Sequence, residues 1–272
     1  MASASPTISS DVDPLAPRFA ALRAAGRCAL IPYLTAGYPE PGRTSGLLDI
    51  LADGGADVIE LGVPFSDPVA DGPTIQRSSQ RALEHGVNLD WTLDALRSFR
   101  TRHDVPVVLF TYLNPIIGYG LDRFIHDAVA AGAAGVLVTD LPAGADAEME
   151  SRFQQAPFSF IRLAAPTTPR QRLLDIAATA QGFLYYVGRM GVTGAQQALR
   201  AETLAEVAAL RARVAVPVAV GFGVSTPGQA VEIARVADGV VVGSALIDAL
   251  DRGGDAGVGS FMRSLRTAID AA

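Results

Sequence analysis

Along the chain, short apolar runs alternate with amphipathic stretches from end to end. The runs are Cys28–Ala36, Asp57–Phe65, Pro106–Tyr112, Gly135–Leu141, Phe158–Ala165, Gly182–Val187, Pro217–Gly221 and Gly239–Val242. They are β-branched-rich and nearly continuous in apolarity, as strands buried on both faces of a parallel sheet are. The stretches between them carry helical spacing. Leu15, Phe19 and Leu22 follow an i, i+4, i+7 pattern behind Asp13-Pro14, a capping residue with proline at the first helical position. Further helices are predicted at Thr44–Ala52, Leu89–Thr101, Leu121–Ala131, Ala143–Gln155, Pro169–Ala180, Ala201–Arg213, Pro227–Val236 and Gly257–Ile269. Eight strand–helix units place the chain in the α/β class, as a single-domain (β/α)8 TIM barrel with an extra N-terminal helix; a doubly wound open sheet is the competing arrangement. The connection after the second run is the longest and reads FSDPVADGPTIQRSSQRALEHG, with an extra helix predicted from Pro73 to Leu83. Connections of that length are commonly functional.

No Pro/Gly/Ser linker divides residues 13–272, which are expected to form one catalytic barrel domain. Residues 1–12 are Ala/Ser-rich, with neither an apolar signal core nor a basic presequence. They read as a flexible tail on a cytoplasmic protein.

Composition narrows the chemistry. Among 272 residues there are 22 basic side chains, every one an arginine, against 28 acidic ones, a net charge of −6. Without lysine the chain cannot form a Schiff base with a carbonyl substrate or with pyridoxal phosphate, and it has no P-loop lysine. No basic patch suggests nucleic acid, and no run of about 18 apolar residues suggests a membrane span. The single Cys28 precludes an intrachain disulfide and reads as a small hydrophobe at a strand start. His85, His103 and His126 fall in predicted helices or loops and share no metal-ligand spacing, so no metal is expected.

In the second run, strand alternation puts Ile59, Leu61 and Val63 on one face and Val58, Glu60 and Gly62 on the other. The first set suits packing on helices, so Glu60 points into the barrel. A carboxylate there is costly unless paired or functional. It reads either as a general acid–base residue with a raised pKa or as a Glu bonded to backbone or hydroxyls at the barrel mouth. Asp67 and Asp71 follow in Asp-Pro and Asp-Gly steps and read first as turn formers. Asp140, ending the fourth run, is open between strand-end cap and site residue. Tyr33, Phe110, Tyr112 and Tyr185 have inward parity and could line an apolar pocket.

Glycine-rich segments end the last three strands: Gly191–Gly194, Gly221–Ser225 and Gly243-Ser244. Barrel enzymes often bind phosphate after strands 7 and 8. Ser244 is expected to cap a short helix, Ala245–Leu250, whose backbone amides and dipole could hold a dianion without a cationic side chain.

IPYLTAG (31–37), ELGVPFSDPVADGPTIQ (60–76), GFLYYV with GVTGA (182–187, 191–195) and GFGVS (221–225) together resemble the tryptophan synthase α subunit, in order from about Arg18 to the last helix. The resemblance implies a (β/α)8 barrel performing retro-aldol cleavage of indole-3-glycerol phosphate to indole and glyceraldehyde 3-phosphate, in tryptophan biosynthesis. It implies a β-subunit partner, two α and two β chains together, with pyridoxal phosphate in the β chain and no cofactor here. It places the catalytic pair on Glu60 and Asp71. Tyr33, Tyr112 and Leu137 fall on indole-pocket positions, and Tyr185 on the active-site tyrosine of the sixth strand. Gly194, Gly223, Gly243 and Ser244 fall on the phosphate cradle, flanked by Thr193 and Phe222. Pro64 and Asp67 fall in the loop that signals to the β subunit. Tyr38, Gly188 and Gln196 depart from the family pattern; the latter two bear on site closure and partner coupling. A stand-alone lyase and a non-catalytic subunit that binds ligand and activates a partner are the alternatives. A lysine-dependent indole-glycerol-phosphate synthase is disfavoured by the missing lysine.

Overall fold

The structure, a computed structural model, describes residues 13–188, 201–221 and 223–272. Thr193, Gly194, Gln196 and Phe222 lie outside the described residues, as does the expected tail at 1–12.

All eight apolar runs contain strands: β1 (Ala29–Thr35), β2 (Ile59–Gly62), β3 (Val107–Thr111), β4 (Gly135–Val138), β5 (Ser159–Ala164), β6 (Leu184–Val187), β7 (Val218–Gly221) and β8 (Gly239–Val242). They pair in sequence order, all parallel, and β1 closes onto β8. The doubly wound alternative is thereby excluded. The helices are α1 (Ala16–Ala24), α2 (Thr44–Asp53), α3 (Pro73–Glu84), α4 (Leu89–Arg100), α5 (Leu113–Tyr119), α6 (Leu121–Ala130), α7 (Ala147–Gln155), α8 (Arg170–Thr179), α9 (Ala201–Arg211), α10 (Pro227–Ala234) and α11 (Ser244–Asp270).

Two hydrophobic cores follow from strand alternation. Ile59, Leu61 and Val63 join the layer between strands and helices. Val58 and its inward counterparts, including Ile31, Val108, Leu137, Ile161, Ala219 and Val241, fill the barrel interior. Leu15, Phe19 and Leu22 of the N-terminal segment join this interior cluster, so α1 plugs the N-terminal mouth. Asp13 fixes it there. Its carboxylate accepts from the Leu15 and Ala16 amides at 3.0 and 3.2 Å, from the Gly182 amide at 2.6 Å and from the Ser159 hydroxyl.

Three expectations need correction. Ser244 is the first residue of α11 and Gly243 holds the cap position, with no side-chain cap. The two predicted C-terminal helices run together, broken only by the non-helical Gly254 (φ 56°, ψ −149°). The helix expected from Ala143 begins at Ala147, because Asp146 accepts from the Met149 amide and starts it there. Helix α5 was not anticipated. Its seven residues show no helical period, and its cap comes from elsewhere: Asp140 accepts from the Leu113 amide at 2.7 Å. Asp140 is thus a cap.

Candidate active site

At the C-terminal ends of the strands opens a cavity of about 640 Å³, lined among others by Tyr33, Glu60, Asp71, Phe110, Thr139, Leu163, Tyr185, Gly223, Gly243 and Ser244. Its described lining contains no arginine or histidine.

Glu60 is 1% exposed, and neither carboxylate oxygen has a hydrogen-bond partner. The backbone-bonded reading therefore fails. Burial pushes the carboxyl from its ordinary 4.5 up to about 8, so the neutral acid predominates near neutrality. Asp71, just before α3, behaves differently. Burial raises it to about 6, opposed by the Tyr112 hydroxyl, which donates to its Oδ2 at 2.9 Å. The same phenol oxygen accepts from the Ala70 amide at 3.1 Å, and the Gln76 side chain donates to the Asp71 carbonyl at 2.9 Å. Three contacts thus hold this loop, and its Asp-Gly step does more than turn.

Two tyrosines reach the cavity by passing over glycines. A Cβ at Gly62 would sit 2.1 Å from the Tyr33 hydroxyl oxygen, and one at Gly221 would sit 2.5 Å from that of Tyr185. The Tyr33 ring meets Phe110 edge-on, with centroids 5.2 Å apart. Burial raises the pKa of both phenols.

The two helices after β7 and β8 begin differently. α10 is closed by a capping box between Thr226 and Gln229. α11 opens behind Gly243 with no side-chain cap, so its first amides are free to face the cavity. Gly223, with φ +68°, lines the same end of the cavity.

Leu137 is placed elsewhere than the pocket wall: it is fully buried in the interior cluster, and Phe110, its register partner, lines the cavity. Tyr112 acts through its hydroxyl on Asp71. Pro64 is buried; Asp67 is exposed and lines a separate groove of about 650 Å³ between its loop and α3. Of the departures, Gly188 lines the cavity, and the Tyr38 hydroxyl donates to Asp251 on α11. Thr139, Ile75 and Leu163 also line the cavity without having been singled out in sequence. Inward parity could have marked Leu163, but nothing local marks Ile75.

The family model for the tryptophan synthase alpha chain matches residues 19–265. The chain belongs to this family. It is 48% identical over 259 residues to the tryptophan synthase alpha chain of Geobacter sulfurreducens, covering 94% of this chain and 98% of that one. It is 49% identical over 263 residues to that of Xanthomonas oryzae pv. oryzae, covering 94% and 98%. Among solved structures, tryptophan synthase subunit alpha from Legionella pneumophila superposes with TM-score 0.88 at 38% identity, covering 95% of this chain and 99% of that one. A tryptophan synthase structure from M. tuberculosis in an aminoacrylate-bound form gives TM-score 0.85 at 34% identity, covering 94% and 99%. As a family member the chain is a lyase of tryptophan biosynthesis, cleaving indole-3-glycerol phosphate to indole and glyceraldehyde 3-phosphate.

Proposed function

We propose that Glu60 and Asp71 carry this cleavage as an acid–base pair. The observation that carries the reading is Glu60 itself, a buried carboxyl without a partner, in a cavity that Asp71 also lines. Two carboxyls whose surroundings set their pKa values apart, at about 8 and about 6, suit an acid and an anion respectively. Neutral Glu60 gives its proton to indole C3. The C2=C3 electrons form the new C–H bond and leave a positive ring nitrogen. Glu60, now a carboxylate, takes the proton of the adjacent carbinol hydroxyl. The C–C bond electrons return to the ring as the aldehyde carbonyl forms, and Glu60 ends as it began. Asp71 accepts the indole N–H and stabilises the ring charge. The ring is the electron sink, which is why a chain without lysine can do this chemistry.

The phosphate rests on the open start of α11, at Gly243 and Ser244, with Gly223 beside it. By resemblance Gly194 belongs to the same cradle, with Thr193 and Phe222 flanking it; all three lie outside the described residues. Tyr33 and Tyr185 hold the indole end. The working protein is one barrel domain in the cytoplasm, paired with a β subunit as two α and two β chains, and pyridoxal phosphate belongs to that partner. Pro64 and Asp67 lie in the coupling loop. Among the described residues no helix is long and apolar enough to cross a membrane.

Indole release from purified variants tests the pair. Glu60→Gln should lose at least about a hundredfold in turnover, the usual worth of a positioned acid–base group. Asp71→Asn should lose turnover while still binding glycerol phosphate. Full activity in a folded Glu60→Gln protein would overturn the assignment.

A further inference from the structure

A chain of buried hydroxyls runs from α3 to the cavity floor. Thr35 and Ser78 are both fully buried, with their oxygens 2.6 Å apart. Thr35 donates to the Tyr33 hydroxyl oxygen at 3.2 Å. A hydroxyl carries one proton, so the proton in the Thr35–Ser78 contact comes from Ser78. With Thr35 donating to Tyr33, the Ser78 proton turns to Thr35 from its other acceptor, the Ile75 carbonyl at 2.8 Å, which keeps its helical bond. The chain therefore runs Ser78 to Thr35 to Tyr33. Tyr33 accepts at its oxygen and keeps its own O–H to give, as a donor strengthened by the bonds behind it.

The position of that donor is fixed by Gly62, whose missing side chain the phenol oxygen replaces. Gly62 and Glu60 share one face of β2, about 6.6 Å apart along the strand. Tyr33 and Glu60 are also register partners on adjacent strands. The phenol and the unpartnered Glu60 carboxyl line the same cavity, near enough for the carboxylate's charge to act on the phenol. The other titratable groups facing Glu60 are Asp71 before α3, Tyr112 after β3 and Tyr185 on β6. Tyr112 is committed to Asp71, and the Tyr185 hydroxyl lies over Gly221 on β7.

We propose that Tyr33, fed by Thr35 and Ser78, is a positioning residue for Glu60: its O–H holds the carboxylate left when C3 is protonated, until the carbinol proton arrives. The proposal rests on Glu60 being the acid–base residue. A donor to the charged form alone lowers the carboxyl's pKa against its burial and makes Glu60 a better acid.

The test is the pH profile of kcat for indole release. Glu60 starts protonated, so the alkaline limb reports its pKa. Tyr33→Phe removes the donor. The limb should move up by about one pH unit, a tenfold change in the proton equilibrium, and kcat should fall more than KM changes. Thr35→Val and Ser78→Ala cut the chain behind Tyr33 and should move the limb the same way by less, while Thr35→Ser keeps the parental profile. In a Tyr33→Phe background, Thr35→Val and Ser78→Ala should add nothing further. An unmoved limb in Tyr33→Phe, or additive shifts in the double variants, overturns the proposal. Activity retained by Glu60→Gln overturns the underlying assignment instead, whatever Tyr33→Phe does.

Discussion

Glu60 couples the site's chemistry to the stability of the fold. Its carboxyl is raised from 4.5 to about 8 in the folded state, so folding favours the protonated form. The associated stabilisation is complete below about pH 4.5 and is lost as pH rises through about 8. Glu60→Gln, which cannot ionise, should therefore melt higher than the parent at pH 9 and close to it at pH 5. Parallel melting-temperature curves across that range would contradict the burial argument. Glu60 was legible in the sequence because strand alternation turns it inward and the chain offers no lysine to meet it there. Asp71 was not. An Asp-Gly step is a turn former, and the phenol that gives it a second role belongs to Tyr112, 41 positions away. The family motif identified Asp71 where local pattern stayed open. Leu137 was marked by the family pattern alone; it is fully buried in the interior cluster beside its register partner Phe110.

At the scale of elements, the strands were legible because each is buried on both faces and so is apolar along its length. Helix starts were less so. α5 takes its cap from Asp140, and α11 takes none, so neither start carries the usual side-chain signal. α1 is the element with the most demanding placement, since it fills the barrel's end instead of covering its flank. One carboxylate both starts it and ties it to Gly182 and Ser159. Asp13→Ala removes the acceptor of the Leu15 and Ala16 amides at the start of α1, worth about 1 kcal/mol as a capping oxygen is, and leaves the Gly182 amide unpaired, at about 1–3 kcal/mol. Urea unfolding should show a loss of about 2–4 kcal/mol from these two effects together, with the pH dependence of cleavage unchanged. A change in that pH dependence would mean that the plug reaches the chemistry.

For the whole molecule, the proposed coupling loop lies on the exposed rim. Val69 is 81% exposed, and it shares with Asp67 the groove beside α3, on the same loop that carries Asp71. On the proposed coupling role of Asp67, a β subunit seated there would press on the loop that carries Asp71. Mixing this chain with a β subunit should raise indole production several-fold, measured with indole-3-glycerol phosphate as substrate. Equal rates with and without it would favour a stand-alone lyase, and silence in both conditions a ligand-binding subunit. The plugged end of the barrel adds a rule of traffic. Among the described residues, Leu15, Phe19 and Leu22 close the bottom of the barrel, and the cavity opens at the strand ends. Traffic through the plugged end is blocked, which leaves substrate and products the strand-end opening. Whatever covers that opening governs supply and discharge at once, and it decides whether indole escapes to solvent or is handed on.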